Sequence, residues 1–184
     1  MTLFKNKYRI ESTRLPFYDY SSPGCYFITI CVRDKHYDFG QIKNKRMKLS
    51  KLGHAARKYW KKIPKHFPFV KLDEFIVMPN HVHGIIIITK KPQNAQYVET
   101  QDFASLPLRR NGHHNKFGPQ SRNLASIIRG YKIGVKKYAN KKNKEFFWQA
   151  GFYDHIINTD EALNNIRQYI INNPTNWQKD RNIK

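Results

Sequence analysis

The sequence has few acidic residues, few cysteines and no long apolar run. Only 13 residues are Asp or Glu, against 34 Lys and Arg, which gives a formal net charge of +21. Cys25 and Cys31 are the two cysteines, and their spacing fits no zinc motif. Because residues 1–20 contain no apolar signal core, we expect a cytoplasmic protein with reduced thiols. No stretch approaches the ~20 apolar residues that a membrane-spanning helix needs.

The excess of positive charge points to an acidic partner. Self-repulsion of this size destabilises a compact chain, and phosphates neutralise it while releasing counterions. Nucleic acid is therefore the expected partner, and we expect the protein to be associated with cellular DNA. An anionic membrane surface is the alternative, but no lysine-rich amphipathic helix with an uncommitted apolar face is present.

The composition is that of a folded protein, with 40% hydrophobic and 14% aromatic residues in a chain of 184. This length predicts one domain over residues 1–184. Periodicity is lost from about residue 89 to residue 122, which predicts a flexible insertion there.

The hydrophobic patterns outside the insertion predict a mixed α+β fold. Strands are expected at residues 25–32, 70–77, 81–88 and 152–157, and a short hairpin is possible between residues 36 and 49. Helices are expected after Ser50, from Leu124 and after Thr159, and Ser50 and Thr159 are residues suited to capping. This order predicts a mostly antiparallel sheet with helices on one face.

A pair of histidines opens the most apolar of these strands, whose unbroken apolar run at residues 85–88 is typical of a strand in the middle of a sheet. His81 and His83 are two residues apart, so in an extended strand both side chains project from the same face. Two imidazoles on a rigid strand can bind one metal ion. The pair alone is also compatible with histidines that merely pack in a core or lie at the surface.

Two polar residues lie one turn apart on the last predicted helix. Tyr169 and Asn173 share a helix face, and Tyr169 lies beside the apolar stripe that contains Ile170. They are a candidate nucleophile and a candidate further metal ligand. A tyrosine at the core boundary with a solvated hydroxyl is the alternative. Tyr131 and Tyr138 lie on the apolar face of the second helix, so we assign them to the core.

Cations of the second helix are candidates for binding phosphates. Their charge is nearly all of one sign, which favours contact with a nucleic-acid backbone over simple solvation. They are Arg122, Arg129, Lys132, Lys136 and Lys137. Trp148, Phe152 and Tyr153 are candidates for stacking on unpaired bases, and core packing explains each of them equally well.

Three blocks of the sequence together resemble a known family. The motif Met78-Pro79-Asn80-His81-Val82-His83-Gly84 is similar to the histidine-hydrophobe-histidine motif of the HUH single-tyrosine transposases. A downstream block (residues 147–149, 152–157 and 168–174) and an N-terminal block (residues 18–24) resemble the branch that includes the REP-associated tyrosine transposases. The resemblance covers nearly the whole chain except the region around residues 90–120.

This resemblance implies a ferredoxin-like fold and a metal-dependent endonuclease and strand transferase acting on single-stranded DNA. It implies that His81 and His83 bind Mg²⁺ or Mn²⁺, that Tyr169 is the nucleophile, and that Asn173 is a further ligand. The expected products are a 5′-phosphotyrosine and a free 3′-OH. Hairpin or palindromic DNA ends and a homodimer are the partners that the family implies.

Two other function classes remain open from the residues alone. A non-catalytic module that binds single-stranded or structured nucleic acid would account for the charge. A metal-dependent RNase would cleave without a covalent intermediate. Covalent attachment to DNA distinguishes the transferase from both.

Overall fold

A central antiparallel sheet organises the structure, a computed structural model that describes residues 18–89, 123–180 and 182. Two short 3₁₀ segments, Arg33–Lys35 and Trp177–Lys179, flank the regular elements. In chain order the regular elements are β1 (Gly24–Cys31), β2 (Gly40–Lys43), β3 (Arg46–Leu49), α1 (Lys51–Lys61), α2 (Ile63–His66), β4 (Val70–Val77), β5 (His81–Ile88), α3 (Leu124–Lys141), β6 (Tyr153–Ile157) and α4 (Asp160–Asn172).

The main sheet has the strand order β4-β5-β1-β6, and every neighbouring pair is antiparallel. Together with α1 and α3, these four strands form the β-α-β-β-α-β arrangement of a ferredoxin-like fold. The predicted fold class is therefore confirmed. Strands β2 and β3 pair separately as the short hairpin that the sequence suggested.

The helices cover both faces of the sheet. Residues of α1 and α3, such as Trp60 and Tyr131, form the main core with Ile28 of β1 and Ile86 of β5. Ile170 of α4 belongs to a second cluster, packed with Phe27 and Ile85 from the same two strands. Successive side chains of a strand point to opposite faces, so α4 lies across the face opposite to α1 and α3.

This arrangement differs from the expectation that all helices share one face. The physical reason is that β1 and β5 are apolar on both sides, since Phe27 and Ile85 are 9% and 0% exposed. An apolar face left uncovered would cost hydrophobic free energy. The stripe of Leu163, Ile166 and Ile170 on α4 supplies the cover.

Gly84 allows the sheet and α1 to approach closely beside the histidine pair. A β-carbon at this position would lie 2.3 Å from Cζ2 of Trp60, whose side chain is fully buried. The strand that carries the histidines is thus packed directly against the largest side chain of the core.

Each long helix begins at a capping side chain. The side chain of Ser50 accepts from the backbone N–H of Gly53, and the side chain of Thr159 accepts from that of Ala162. Asn123 and Ser126 form a reciprocal capping box at the start of α3. Two of the capping residues, Ser50 and Thr159, are those expected from the sequence.

Several expectations concern residues that the structure does not describe. The predicted insertion at 89–122 lies outside the described residues except for Thr89, and the assignment of residues 1–184 to one domain stays a prediction. Within the described residues, Cys25 and Cys31 are free thiols, and burial raises the pKa of each. None of the described helices is long and apolar enough to cross a membrane.

Candidate active site

The two histidines lie in the interior of the sheet and point to the face covered by α4. Strand β5 is bordered by β4 and β1, so both of its edges are hydrogen-bonded. The side chains of His81 and His83 are 0% and 2% exposed, and their ring centroids are 4.3 Å apart. The predicted sharing of one face is confirmed by this contact.

Each imidazole is held through its Nδ1 atom. Nδ1 of His81 lies 2.8 Å from Oδ1 of Asn80, and Nδ1 of His83 lies 2.9 Å from Oγ1 of Thr29. The Nε2 atoms are therefore the ones available to the site. The ring of Phe27 also stacks on His83, with 5.3 Å between the ring centroids.

Asp180 brings a carboxylate to the histidines from the C-terminal segment. One ligand atom from each of His81, His83 and Asp180 lies within 4.8 Å of the other two. Nε2 of His81 and Oδ2 of Asp180 are 3.8 Å apart, and both are buried without a hydrogen-bond partner among the described residues. Two nitrogens and a carboxylate oxygen form a donor set that suits a divalent transition metal.

Burial keeps His81 neutral. Loss of solvation lowers the pKa of His81 to about 3, with a smaller contribution from the positive charge of Lys35. A neutral imidazole retains the lone pair that a metal requires. The ring is also stacked on the buried Trp177, at 6.0 Å between centroids.

Tyr169 lies over this cluster within the same chain. Its hydroxyl is 3.3 Å from Nε2 of His83, and its ring packs edge-on against Phe27 at 6.0 Å. The side chain is 44% exposed, so the phenol faces both the buried donors and the solvent. The sequence placed Tyr169 beside the apolar stripe of its helix, and Ile170, the next residue, is indeed buried against the sheet.

The helix that carries Tyr169 is fastened to the sheet by an ion pair. The guanidinium of Arg167 donates to both carboxylate oxygens of Asp73 on β4, at 2.6 and 2.8 Å. It also donates to Oδ1 of Asn164 on its own helix. The guanidinium lowers the pKa of the Asp73 carboxyl, so the pair is ionised at neutral pH.

Asn173, the predicted further ligand, is buried next to the end of α4. Its side chain is 3% exposed, and Oδ1 has no hydrogen-bond partner within the described part of the chain. This oxygen is a possible donor, so the assignment stays a prediction. Asp180 was missed, although it is an isolated acid in a strongly basic tail three residues after Trp177. A single acidic residue among basic ones was the only signal in the sequence, and it does not indicate that Asp180 lies near the histidines.

The cations predicted to bind DNA fall into two groups. Lys132 donates to the carbonyls of Gln149 and Gly151, and Lys136 donates to the carbonyl of Phe146. Burial also lowers the pKa of Lys132 to about 8. These two lysines hold the segment before β6, whereas Arg129 and Lys137 are exposed.

The remaining cation candidate, Arg122, lies outside the described residues.

The three aromatic candidates differ from one another. Trp148 and Phe152 pack against the main core, while Tyr153 is 51% exposed and contacts Phe27, at 6.4 Å between centroids. Tyr153 thus lies on the side of the sheet that carries the histidines.

Several known proteins resemble this chain in sequence or in fold. A Haemophilus influenzae protein described only as uncharacterized is 40% identical over 173 residues, covering 93% of this chain and 91% of that protein. A second Haemophilus influenzae protein, a "Putative REP-associated tyrosine transposase", is 23% identical over 85% of this chain and 73% of its own length. A solved structure of a REP-associated tyrosine transposase bound to a REP hairpin covers 91% of this chain and 74% of that one, with a TM-score of 0.57 and 16% identity.

The chain is similar in sequence and in fold to REP-associated tyrosine transposases. The resemblance that the three sequence blocks indicate is thereby confirmed. No family model matches the chain. The solved relative supports the fold, which in both cases is a mixed α+β structure with helices packed on an antiparallel sheet.

Proposed function

We propose that this protein is a metal-dependent endonuclease and strand transferase acting on single-stranded DNA. Tyr169 is the nucleophile, and the cleaved strand is held as a 5′-phosphotyrosine with a free 3′-OH. The observation that carries the proposal is the 3.3 Å distance between the Tyr169 hydroxyl and Nε2 of His83, at the edge of the buried cluster with His81 and Asp180.

The cluster fits a bound divalent cation. Two buried polar atoms, Nε2 of His81 and Oδ2 of Asp180, lack hydrogen-bond partners among the described residues, which is costly unless an additional group satisfies them. His81, His83 and Asp180 would hold the ion, and Asn173 is a further donor. Histidine nitrogens favour Mn²⁺ over Mg²⁺, which prefers oxygen ligands. A bound ion would polarise a phosphate oxygen and stabilise the charge that develops on it.

The phenol of Tyr169 is positioned for attack on phosphorus. Its oxygen forms the new bond to phosphorus as the bond to the 3′ oxygen breaks, the phenol loses its proton and the 3′ oxygen gains one. An ordinary tyrosine has a pKa of about 10, so the phenol needs nearby positive charge to act at neutral pH. The covalent product retains the phosphodiester energy, which permits later joining to another 3′-OH.

The fold supports attack within one chain. The histidines, Asp180 and Tyr169 all belong to the same protomer, and Tyr169 is exposed enough for a substrate phosphate to reach it. A homodimer is not needed to assemble this set of residues. We therefore propose that Tyr169 acts on DNA bound to its own subunit.

The DNA partner follows from charge and from the family. The exposed Arg129 and Lys137 on α3 are the cations that we propose to contact phosphates, together with Arg122. Lys132 and Lys136 contribute indirectly, by holding residues 146–151 in place. Since the solved relative is bound to a REP hairpin, we propose a single strand next to a hairpin or palindromic end as the substrate.

The proposal is tested by trapping the covalent intermediate. The protein is incubated with end-labelled hairpin DNA that carries a single-stranded flank, with Mn²⁺, and is then run on a denaturing gel. Wild-type protein is expected to give a DNA adduct that Tyr169→Phe abolishes. Tyr153→Phe is the matched control, because this exposed phenol lies on the same face of the sheet, and its adduct should persist.

Other results would favour a different function. Reversible DNA binding without any adduct would support the non-catalytic nucleic-acid-binding module. Cleavage of RNA without an adduct would support the nuclease alternative. An adduct that survives Tyr169→Phe would move the nucleophile to another residue.

A further inference from the structure

Asn80 occupies a central position between the histidine strand and two other parts of the chain. Its side chain lies in the turn before β5 and is 1% exposed. Nδ2 donates to the carbonyl of Lys35 at 3.3 Å and to the carbonyl of Asn182 at 2.7 Å. Oδ1 faces Nδ1 of His81 at 2.8 Å.

These contacts determine which way the amide of Asn80 points. A backbone carbonyl can only accept a hydrogen bond, so the atom facing Lys35 and Asn182 must be the NH₂ group. The opposite orientation would place two oxygens 2.7 Å apart and leave the amide hydrogens facing the imidazole. The amide oxygen therefore faces His81.

The orientation of the amide in turn determines the tautomer of His81. An amide oxygen can only accept, so Nδ1 of His81 must carry the hydrogen. In a neutral imidazole the other nitrogen, Nε2, then carries the lone pair. We propose that Asn80 is a positioning residue that holds His81 as the Nδ1–H tautomer and directs the Nε2 lone pair towards Asp180 and His83.

The Nδ1 contact of the second histidine is of a different kind. Nδ1 of His83 pairs with the hydroxyl of Thr29, which can either donate or accept. Thr29 is therefore compatible with both tautomers of His83, whereas Asn80 permits one tautomer of His81. The two histidines can therefore be compared directly. Only the contact made by Asn80 determines which ring nitrogen keeps the lone pair that binds a metal.

The consequence for metal binding rests on the proposed function. A histidine ligand whose other nitrogen is hydrogen-bonded binds in one orientation, and loss of that outer partner typically costs about 10- to 100-fold in metal affinity. Asn80 also joins His81 to the backbone at Lys35 and Asn182, so the same side chain sets the position of the ring.

The tautomer can be read directly in the metal-free protein. Full-length protein labelled with ¹⁵N at histidine is studied at pH 7 by long-range ¹H–¹⁵N correlation, which separates protonated from unprotonated ring nitrogens. The His81 signals are identified among the eight histidines by their loss in His81→Gln. Wild type should show a protonated Nδ1 and an unprotonated Nε2, and a protonated Nε2 would overturn the proposal even if Asn80→Ala and Thr29→Val failed to fold.

Two variants then assign the cause. Asn80→Ala should shift His81 towards the Nε2–H form and weaken Mn²⁺ binding about 10- to 100-fold, measured by the electron paramagnetic resonance signal of free Mn²⁺. Thr29→Val should leave the His81 tautomer unchanged. An Asn80→Ala protein with the wild-type tautomer and the wild-type affinity would overturn the proposal.

The experiment separates this inference from the proposed function. If wild type binds no Mn²⁺ yet shows the Nδ1–H tautomer and loses it in Asn80→Ala, the metal-dependent function fails and the role of Asn80 in setting the ring survives. If wild type binds Mn²⁺ and Asn80→Ala changes neither the tautomer nor the affinity, the metal-dependent function survives and the proposed role of Asn80 fails.

Discussion

The two sides of the site are held in very different ways. His81 and His83 lie on an interior strand, hydrogen-bonded along both edges and at most 2% exposed. Tyr169 lies on α4, and its side chain is 44% exposed. Among the described residues of that helix, Ile170 is the one that is buried. The donor atoms are thus preorganised, while the phenol is on the outer and more accessible element.

This contrast agrees with the chemistry that we propose. Metal-binding atoms gain affinity from rigid placement, because little order is lost when the ion binds. A nucleophile must leave room for a phosphate between itself and the donors, so an exposed phenol on a surface helix is suitable. Asp180 is a buried donor like the histidines, but it comes from a short C-terminal segment rather than from the sheet.

The largest expected effect comes from removing a donor on the rigid side. His83→Ala should weaken Mn²⁺ binding by about 100-fold or more. Loss of a ligand's hydrogen-bond partner typically costs about 10- to 100-fold, and loss of the ligand itself should cost more. Asp180→Asn should cost about tenfold, because this residue is on the less constrained segment and keeps a neutral oxygen donor. Titration of Mn²⁺ by calorimetry measures both, and equal losses would contradict the comparison.

A second expected effect concerns the burial of His81. Its pKa is about 3 in the folded protein and about 6.5 when unfolded, so the unfolded chain binds the extra proton as the pH falls below 6.5. In metal-free protein the free energy of unfolding should therefore decrease by up to about 1.4 kcal/mol per pH unit from pH 6.5 towards pH 3.

Urea unfolding at pH 7 and pH 5 measures this effect. Between these two values the wild type should lose about 2 kcal/mol more stability than His81→Gln, since the variant lacks the buried titrating group. His155→Gln, a change at an exposed histidine of β6, is the control and should behave as wild type. A pH dependence unchanged by His81→Gln would show that the imidazole is not held neutral by burial.

The parts of the fold that the sequence predicted are those encoded locally. The unbroken apolar run after His83 identified an interior strand, and the two-residue spacing put both imidazoles on one face. The 3.6-residue repeat placed Tyr169 next to a buried stripe. Each of these depends only on neighbours in the chain, so one sequence was enough.

The remaining features depend on contacts between distant segments. Asp180 joins His81 over a separation of 99 positions, and no periodicity in the tail marks it. The crossing of α4 over the second face follows from Phe27 and Ile85 together, which are far apart in sequence. A lysine that binds backbone carbonyls, such as Lys132, cannot be distinguished by residue type from one that binds phosphate.

The smallest expected effect tests how the outer side is held. The ion pair between Arg167 and Asp73 connects α4 to β4 two residues before Tyr169. Asp73→Asn should change the unfolding free energy by less than about 1 kcal/mol, because the pair is partly exposed. It should nevertheless slow adduct formation about tenfold, since misplacing a reacting group by about 1 Å can cost up to about 100-fold.

Single-turnover adduct kinetics and thermal unfolding separate these two consequences. Glu74→Gln is the matched control, because Glu74 is the exposed neighbour of Asp73 and its removal should leave the rate unchanged. Arg167→Lys keeps the charge without the two-pronged guanidinium, so it should fall between wild type and Asp73→Asn. The rate of adduct formation in Asp73→Asn could instead fall only as far as the loss of folding stability explains. The ion pair would then support the fold alone, and α4 would be held as firmly without it as the histidine strand is.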